Sequence, residues 1–241
     1  MGCDRWSSWW VLFEDLSNEA IKIRLKLLKS TILITAADID SYNHKIKNQK
    51  KIKKITFFQN VNKLNDQFNI DLKKFLLKKN FNPFKYEYVK IKSNKPFFVL
   101  FTSGTTGVPK GIIHSTGGYL VYSKYTCIKQ FGMDNNTVML TASDAGWMNG
   151  HTYALYGPLL MGAKTILIEK PMSLINETLF KKILLNEKVN ILYLPVTLIR
   201  LMRSIDKKIK IKSKYLKTLG SMGEPLSKHI GSWFSKKFSF K

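Results

Sequence analysis

Thr102-Ser103-Gly104-Thr105-Thr106-Gly107-Val108-Pro109-Lys110-Gly111 follows directly on the apolar run Pro96-Phe97-Phe98-Val99-Leu100-Phe101. The run has the length and continuity of a buried strand, which puts the glycine-rich stretch in a loop at the strand's tip. Glycines let that backbone bend and come close to a ligand. Convergent N–H groups, with Ser and Thr hydroxyls among them, make an anion-binding nest. Pro109 stiffens the exit and Lys110 adds a cation. A flexible Gly/Ser/Thr turn is the plainer alternative. A Walker P-loop is another, but it needs Gly, four residues, then Gly-Lys-Ser/Thr. Here Pro109 stands five on from Gly104 and Lys110 precedes Gly111, so that pattern fails. The combination suits a polyphosphate.

Outward from the loop, strands and helices alternate. The pattern predicts a helix over 118–131, a strand over 137–142, and a helical segment over 151–161 that Pro158 bends or shortens. A strand over 164–168, a helix over 175–187, a strand over 190–194 and a helix over 196–205 follow. A strand over 216–221 and a helix after Pro225 complete the set. Upstream, Ser17 reads as a helix N-cap with Leu16 and Ile21 spaced as a hydrophobic staple. Thr31–Thr35 and Ile55–Phe58 read as strands and Asp71–Lys79 as a short helix, residues 39–95 being the least patterned part. Repeated βα units argue for an α/β fold, a parallel or mixed sheet flanked by helices.

The chain has 241 residues and a formal net charge of +24. That charge invites a nucleic-acid reading, but the only arginines are Arg5, Arg24, Arg200 and Arg203. Phosphate and base recognition favours the bidentate guanidinium fork over lysine. The densest basic stretch, Lys45–Lys54, has Ile46 and Ile52 between its lysines but none of the aromatic platforms of a single-strand binder. The make-up of that charge therefore favours a solvated loop and helix face over a nucleic-acid surface. Cys3 and Cys127 make neither a disulfide framework nor a zinc-ligand cluster. No apolar run reaches the length of a membrane span and no secretory leader opens the sequence, so a cytoplasmic protein without a membrane partner is expected.

Two further patches resemble what the loop resembles. One is Thr141-Ala142-Ser143-Asp144-Ala145-Gly146-Trp147-Met148-Asn149-Gly150-His151, running on to Tyr156-Gly157-Pro158; the other is Leu219-Gly220-Ser221-Met222-Gly223-Glu224-Pro225. With the loop and His114–Leu120, these are similar to the adenylate-forming enzymes, and among them to the short-chain acyl-CoA synthetases, acetyl-CoA synthetases above all. The similarity runs from roughly Leu16 to Phe234 and is thin over 39–95.

The resemblance implies ATP, Mg²⁺ and CoA as the molecules handled, with acetate or another short-chain carboxylate as substrate. It implies that Thr102, Ser103, Gly104, Thr105, Thr106, Gly107 and Lys110 hold the phosphates, and that Gly223, Glu224 and Pro225 contact the nucleotide. Pro225 also suits a first helical turn. Trp147, Met148, Asn149 and Met222 would shape an acyl pocket, with Asn149 also near CoA. On the residues alone, core packing is the better account of Trp147, and a plain strand-to-helix turn is the better account of Gly223–Pro225. Resemblance reverses both. It gives no catalytic or metal role to His114 or His151, which read as structural.

Complete members of the family are longer. They carry downstream an aromatic-Thr-Glu segment, a ribose-binding Asp and a small C-terminal domain with a catalytic Lys. The Arg-Gly-Gly-Arg stretch that acetyl-CoA synthetases offer to CoA is replaced here by Ile39-Asp40-Ser41-Tyr42-Asn43-His44-Lys45. Residues 1–241 are thus expected to be an incomplete N-terminal AMP-binding domain, part of the large domain of the adenylate-forming fold. Such a fragment is expected to be inactive alone, with no catalytic residue of its own and with a separate chain as one source of the missing parts. The alternatives are a catalytically dead module that binds nucleotide or a partner, and a basic nucleic-acid binder.

Overall fold

The computed structural model describes residues 9–12, 16–29, 32–36, 53–57, 69–71, 90–102, 109–168, 170–205, 211 and 213–238. The chain divides into two compact units, one of residues 12–90 and the other of residues 1–11 with 91–241. A two-residue strand β1 (Trp9–Trp10) belongs to the larger unit.

The smaller unit begins with helix α1 (Asn18–Leu28). Ser17 caps it as expected, its hydroxyl accepting from the Ala20 N–H at 3.2 Å. Ile21 and Leu25, one turn apart, are its buried positions. Strands β2 (Ile32–Ala36), β3 (Lys53–Phe57) and β4 (Asn69–Asp71) pair in parallel in that order. β2 and β3 match expectation to within two residues. Asp71 ends a strand rather than opening a helix, and residues 72–79 of the expected helix lie outside the described residues.

In the larger unit β5 (Pro96–Thr102) lies parallel to β1 and antiparallel to β6 (Lys110–Ser115). The glycine-rich stretch therefore closes a hairpin rather than leading straight into a helix. Helix α2 (Thr116–Phe131) starts from β6. Its first N–H groups, at Thr116 and Gly117, donate to the carbonyls of Lys95 and Ser93 at 2.9 and 2.8 Å, which meets the demand of a helix start that lacks a side-chain cap.

Strands β7 (Val138–Thr141), β8 (Lys164–Ile166), β9 (Ile191–Pro195) and β10 (Thr218–Met222) form an all-parallel sheet in the order β10-β9-β7-β8. The connections are a π-helix (Gly150–Tyr156) with α3 (Gly157–Leu160), a 3₁₀ turn (Pro171–Ile175) with α4 (Glu177–Asn186), and then α5 (Val196–Ser204). Helix α6 (Lys228–Lys237) follows β10. The main core joins Leu140, Leu192 and Leu194 of the sheet to Phe180 and Leu184 of α4, Leu198 and Met202 of α5, and Phe234 of α6. β7 and β9, largely buried, read as apolar runs, whereas β8 and β10 at the edges of the sheet are only partly buried.

The segment over 151–161 stays helical as far as Leu160 but changes from π to α at Gly157, by an identifiable route. Without an N–H, Pro158 cannot serve the Ala154 carbonyl, and the Thr165 hydroxyl donates there at 2.7 Å instead. The Thr141 hydroxyl donates to the Tyr153 carbonyl at 2.8 Å. The Gly157 N–H reaches back to the Thr152 carbonyl, the i→i−5 spacing of a π-helix. A Cβ on Gly157 would collide with Cys127 Sγ of α2 and lie 2.5 Å from the Thr152 carbonyl oxygen. Gly157→Ala is therefore expected to destabilise the chain by about 1–3 kcal/mol, as overpacked sites do, read as a lower urea midpoint at unchanged slope.

Candidate functional site

The strand order makes β7 and β9 a topological switch point. After β7 the chain moves outward to β8, and from β9 it moves the other way to β10. In open α/β sheets ligands bind outside the carboxyl ends of the strands at such a point. Because the strands are parallel, the Trp147 turn leaves β7 and the Gly223–Pro225 segment leaves β10 from the same edge. Only β9 separates them, at about 10 Å for two strand spacings. Met222 pairs with Pro195 and Thr141 with Tyr193, so the end of β9 lies between the two patches. Nothing in the sequence singles out Tyr193, Leu194 or Pro195, because strand order is invisible in it.

The turn after β7 is tightly tied. Asp144 Oδ1 accepts from the Gly146 N–H at 2.6 Å and the Asp144 carbonyl accepts from the Trp147 N–H at 3.1 Å. Trp147 is 64% exposed and Met148 38%, Asn149 is half-buried, and Met222 is only 6% exposed. Trp147 is thus not a core residue; its ring stands at the rim of the carboxyl edge.

On the β10 side Gly223 has φ +94, a conformation that favours glycine. Gly223, Glu224 and Pro225 are all exposed. The Glu224 carboxylate accepts from Arg200 Nη1 of α5 at 2.9 Å, which turns that side chain along the surface. The expectation for Pro225 needs correction: α6 starts at Lys228 behind an N-cap at Ser227, so Pro225 lies ahead of the first turn rather than in it.

Of the residues expected to hold the phosphates, Ser103, Gly104, Thr105, Thr106 and Gly107 lie outside the described residues. Thr102 and Lys110 flank them as paired positions of β5 and β6, both exposed, with the Thr102 hydroxyl 3.5 Å from the Lys110 carbonyl. Among the described residues no three His, Cys, Asp or Glu side chains converge on a metal position, and no helix is long and apolar enough to cross a membrane.

A stack of rings joins the hairpin to the Trp147 turn. Phe98 of β5, fully buried, lies between His114 of β6 (centroids 4.8 Å, 25°) and His151 of the π-helix (4.5 Å, 5°). Tyr119 of α2 meets Phe98 edge-on at 4.7 Å. Burial pushes the His151 imidazole down to about 4, with a backbone hydrogen bond at Ala145 opposing the shift, and His114 is lowered for the same reason. Both histidines are packing rings, as the sequence suggests.

A profile of the AMP-binding enzyme family matches residues 9–240. The chain belongs to the AMP-binding enzyme family. It is 40% identical to acetyl-coenzyme A synthetase 2 of Candida albicans over 150 residues, 61% of this chain and 22% of that protein. It is 43% identical to acetyl-coenzyme A synthetase of Vibrio cholerae over 146 residues, 60% of this chain and 22% of that one. The fold is shared with an acyl-CoA synthetase of Brucella canis (TM-score 0.79, 23% identity, 95% of this chain, 40% of that one). It is shared also with an anthranilate–CoA ligase in complex with anthranoyl-AMP (TM-score 0.80, 15% identity, 94% and 42%). The chain thus spans about a fifth of the curated relatives it matches.

A histidine whose pKa is lowered in the folded state stabilises the fold while neutral. The unfolded imidazole protonates near pH ~6.5, so His151's contribution is complete above that pH and is lost as pH falls toward about 4. The urea midpoint should fall between pH 7 and 5. His151→Phe should flatten that slope while keeping the stack, His114 accounting for what remains.

Proposed function

We propose that this chain is the part of an AMP-forming acetate–CoA ligase that carries the phosphate loop, the nucleotide segment and one wall of the acyl pocket. The observation that carries the reading is the position of Trp147–Asn149 and Met222–Pro225 on one carboxyl edge, either side of the switch-point strand, in a member of the AMP-binding enzyme family. The relatives named acetyl-coenzyme A synthetase support acetate as the acid.

In the reaction, a carboxylate oxygen attacks the α-phosphorus of ATP and the bond to pyrophosphate breaks. This leaves an acyl-adenylate. The sulfur of CoA then attacks the acyl carbon; AMP leaves and the thiol proton is released. Positioning and charge neutralisation dominate the catalysis of such phosphorus transfers. Thr102, Ser103, Gly104, Thr105, Thr106 and Gly107 would donate to the β- and γ-phosphates, Lys110 would add positive charge, and Mg²⁺ would arrive with the triphosphate. Gly223, Glu224 and Pro225 would border the nucleotide through backbone, since the Glu224 carboxylate already pairs with Arg200. Trp147, Met148, Asn149 and Met222 would bound the acyl group, with Asn149 facing CoA. A cytoplasmic site of action suits these substrates, and a separate chain could supply the remaining residues.

The purified chain is expected to bind a sulfamoyl analogue of acetyl-adenylate saturably in calorimetry. Trp147→Ala should weaken it by about tenfold, roughly 1.4 kcal/mol. Heat traces flat at millimolar analogue would end the reading. Acetate-dependent ATP–pyrophosphate exchange separates a chain that performs the first step from one that only binds.

A further inference from the structure

The Trp147–Asn149 turn is held from its helix side by a buried relay of hydroxyls. Thr152 Oγ1 donates to the Met148 carbonyl at 2.9 Å. Tyr119 Oη lies 2.8 Å from the same Thr152 oxygen. A threonine hydroxyl has one proton to give. Thr152 commits it to Met148, so Tyr119 is the donor of the second bond. Both residues are buried, at 7% and 1% exposure. Desolvation pushes the Tyr119 phenol up to about 12, which keeps it a donor across the neutral range.

The relay begins at a fixed point. The Tyr119 ring stands edge-on to Phe98 at 87° and 4.7 Å and also meets Tyr156 edge-on at 5.9 Å. Tyr119 sits on α2, an element separate from the turn. The relay ends on the backbone of Met148, between Trp147 and Asn149, at the entry to the π-helix. Thr152 alone would be a local i−4 back-bond. Tyr119 makes it a tertiary contact, and a buried hydroxyl deprived of its partner costs about 1–3 kcal/mol.

We propose that Tyr119 is a positioning residue of the acyl site: through Thr152 it fixes the Met148 carbonyl, and with it the aim of Trp147, Met148 and Asn149. This rests on the reading of that turn as a wall of the acyl pocket. Tyr119 touches no substrate. Its role is to hold the rim against the aromatic stack, so that the pocket keeps one shape before ligand arrives.

Tyr119→Phe keeps the ring and removes the donor, Thr152→Val removes the whole relay, and Thr152→Ser keeps it. With 5-fluorotryptophan in the full chain, the fluorine resonance of Trp147, identified by its loss in Trp147→Phe, reports the turn. That of Trp233 in α6 reports the fold elsewhere. Tyr119→Phe and Thr152→Val should each shift or broaden the Trp147 resonance and leave Trp233 unmoved, while Thr152→Ser should match the wild type. The same two variants should weaken the acetyl-adenylate analogue by about tenfold with AMP affinity within about twofold.

A Trp147 resonance unchanged in Tyr119→Phe overturns the proposal. If Thr152→Val moves both resonances, the fold is lost in that variant, and Tyr119→Phe against Thr152→Ser decides. If the wild type ignores the analogue while the Trp147 resonance responds as expected, the acyl reading fails and the control of the turn by Tyr119 is upheld.

Discussion

The ring of Phe98 is clasped between two imidazoles, His114 from the neighbouring strand and His151 from the π-helix, and the site segments upstream and downstream of α2 are tied to that clasp. β5 and β6 carry the glycine-rich loop between them, and Phe98 and His114 are paired positions of that hairpin. His151 follows Trp147, Met148 and Asn149 within one turn of the same segment. A shift of the hairpin would drag Phe98 out of its stack; a shift of the turn would do the same to His151. Full burial of a Phe side chain contributes about 1.5–3 kcal/mol, and favourable aromatic pairs add about 0.5–1.5 kcal/mol each. Neutral imidazoles fit this role because they stack like arenes. Burial keeps them neutral at ordinary pH.

The π-helix follows from constraints at its C-terminal end. Pro158 withholds one N–H, and Gly157 must pass α2 with no side chain. The extra residue per turn swings the Tyr153 and Ala154 carbonyls toward the sheet, where the Thr141 and Thr165 hydroxyls meet them. Those threonines belong to β7 and β8, so the irregular helix is bonded to the strands it connects. This anchorage keeps His151 and Thr152 aimed inward, one at Phe98 and the other at Tyr119. A regular helix would rotate one of them away.

The central parallel strands β7 and β9 were legible because they are largely buried and spell apolar runs, as Ile191-Leu192-Tyr193-Leu194 does. β8 and β10 at the edges are only partly buried and were legible from the βα alternation around them. β6 is not legible in that way: Lys110–His114 of Lys-Gly-Ile-Ile-His-Ser are bonded on one edge and largely exposed on both faces. Its existence depends on the ladder with β5, although a glycine-rich loop between two β-branched or aromatic runs is a usable hairpin signal. β1 and β4, two and three residues long, are too short to leave a periodic pattern and are recognised by their backbone pairing with β5 and β3. At the site, the patches themselves were legible as residue types at strand ends. Their adjacency was not, because it comes from β9 inserting between β7 and β10. Nor was the partner of Glu224, since an ion pair between residues 24 apart leaves no periodic trace.

The two sides of the carboxyl edge are built to different tolerances. The Trp147 turn is bonded to Asp144 on the strand side, to Thr152 and Tyr119 on the helix side, and to the stack through His151. Gly223–Pro225 is exposed, turns at a glycine with positive φ, and has one partly exposed ion pair, a class of contact typically worth about 0–1 kcal/mol. Binding energy is lost when a ligand must first order its site. The rigid side therefore discriminates between ligands at little ordering cost, because its geometry exists before they arrive. The looser side must be ordered by what it binds, which only a ligand with enough surface can do. On the function proposed above, the preformed wall would stand beside the small acid and the adaptable segment beside the nucleotide, with rigidity where few contacts are available to create it.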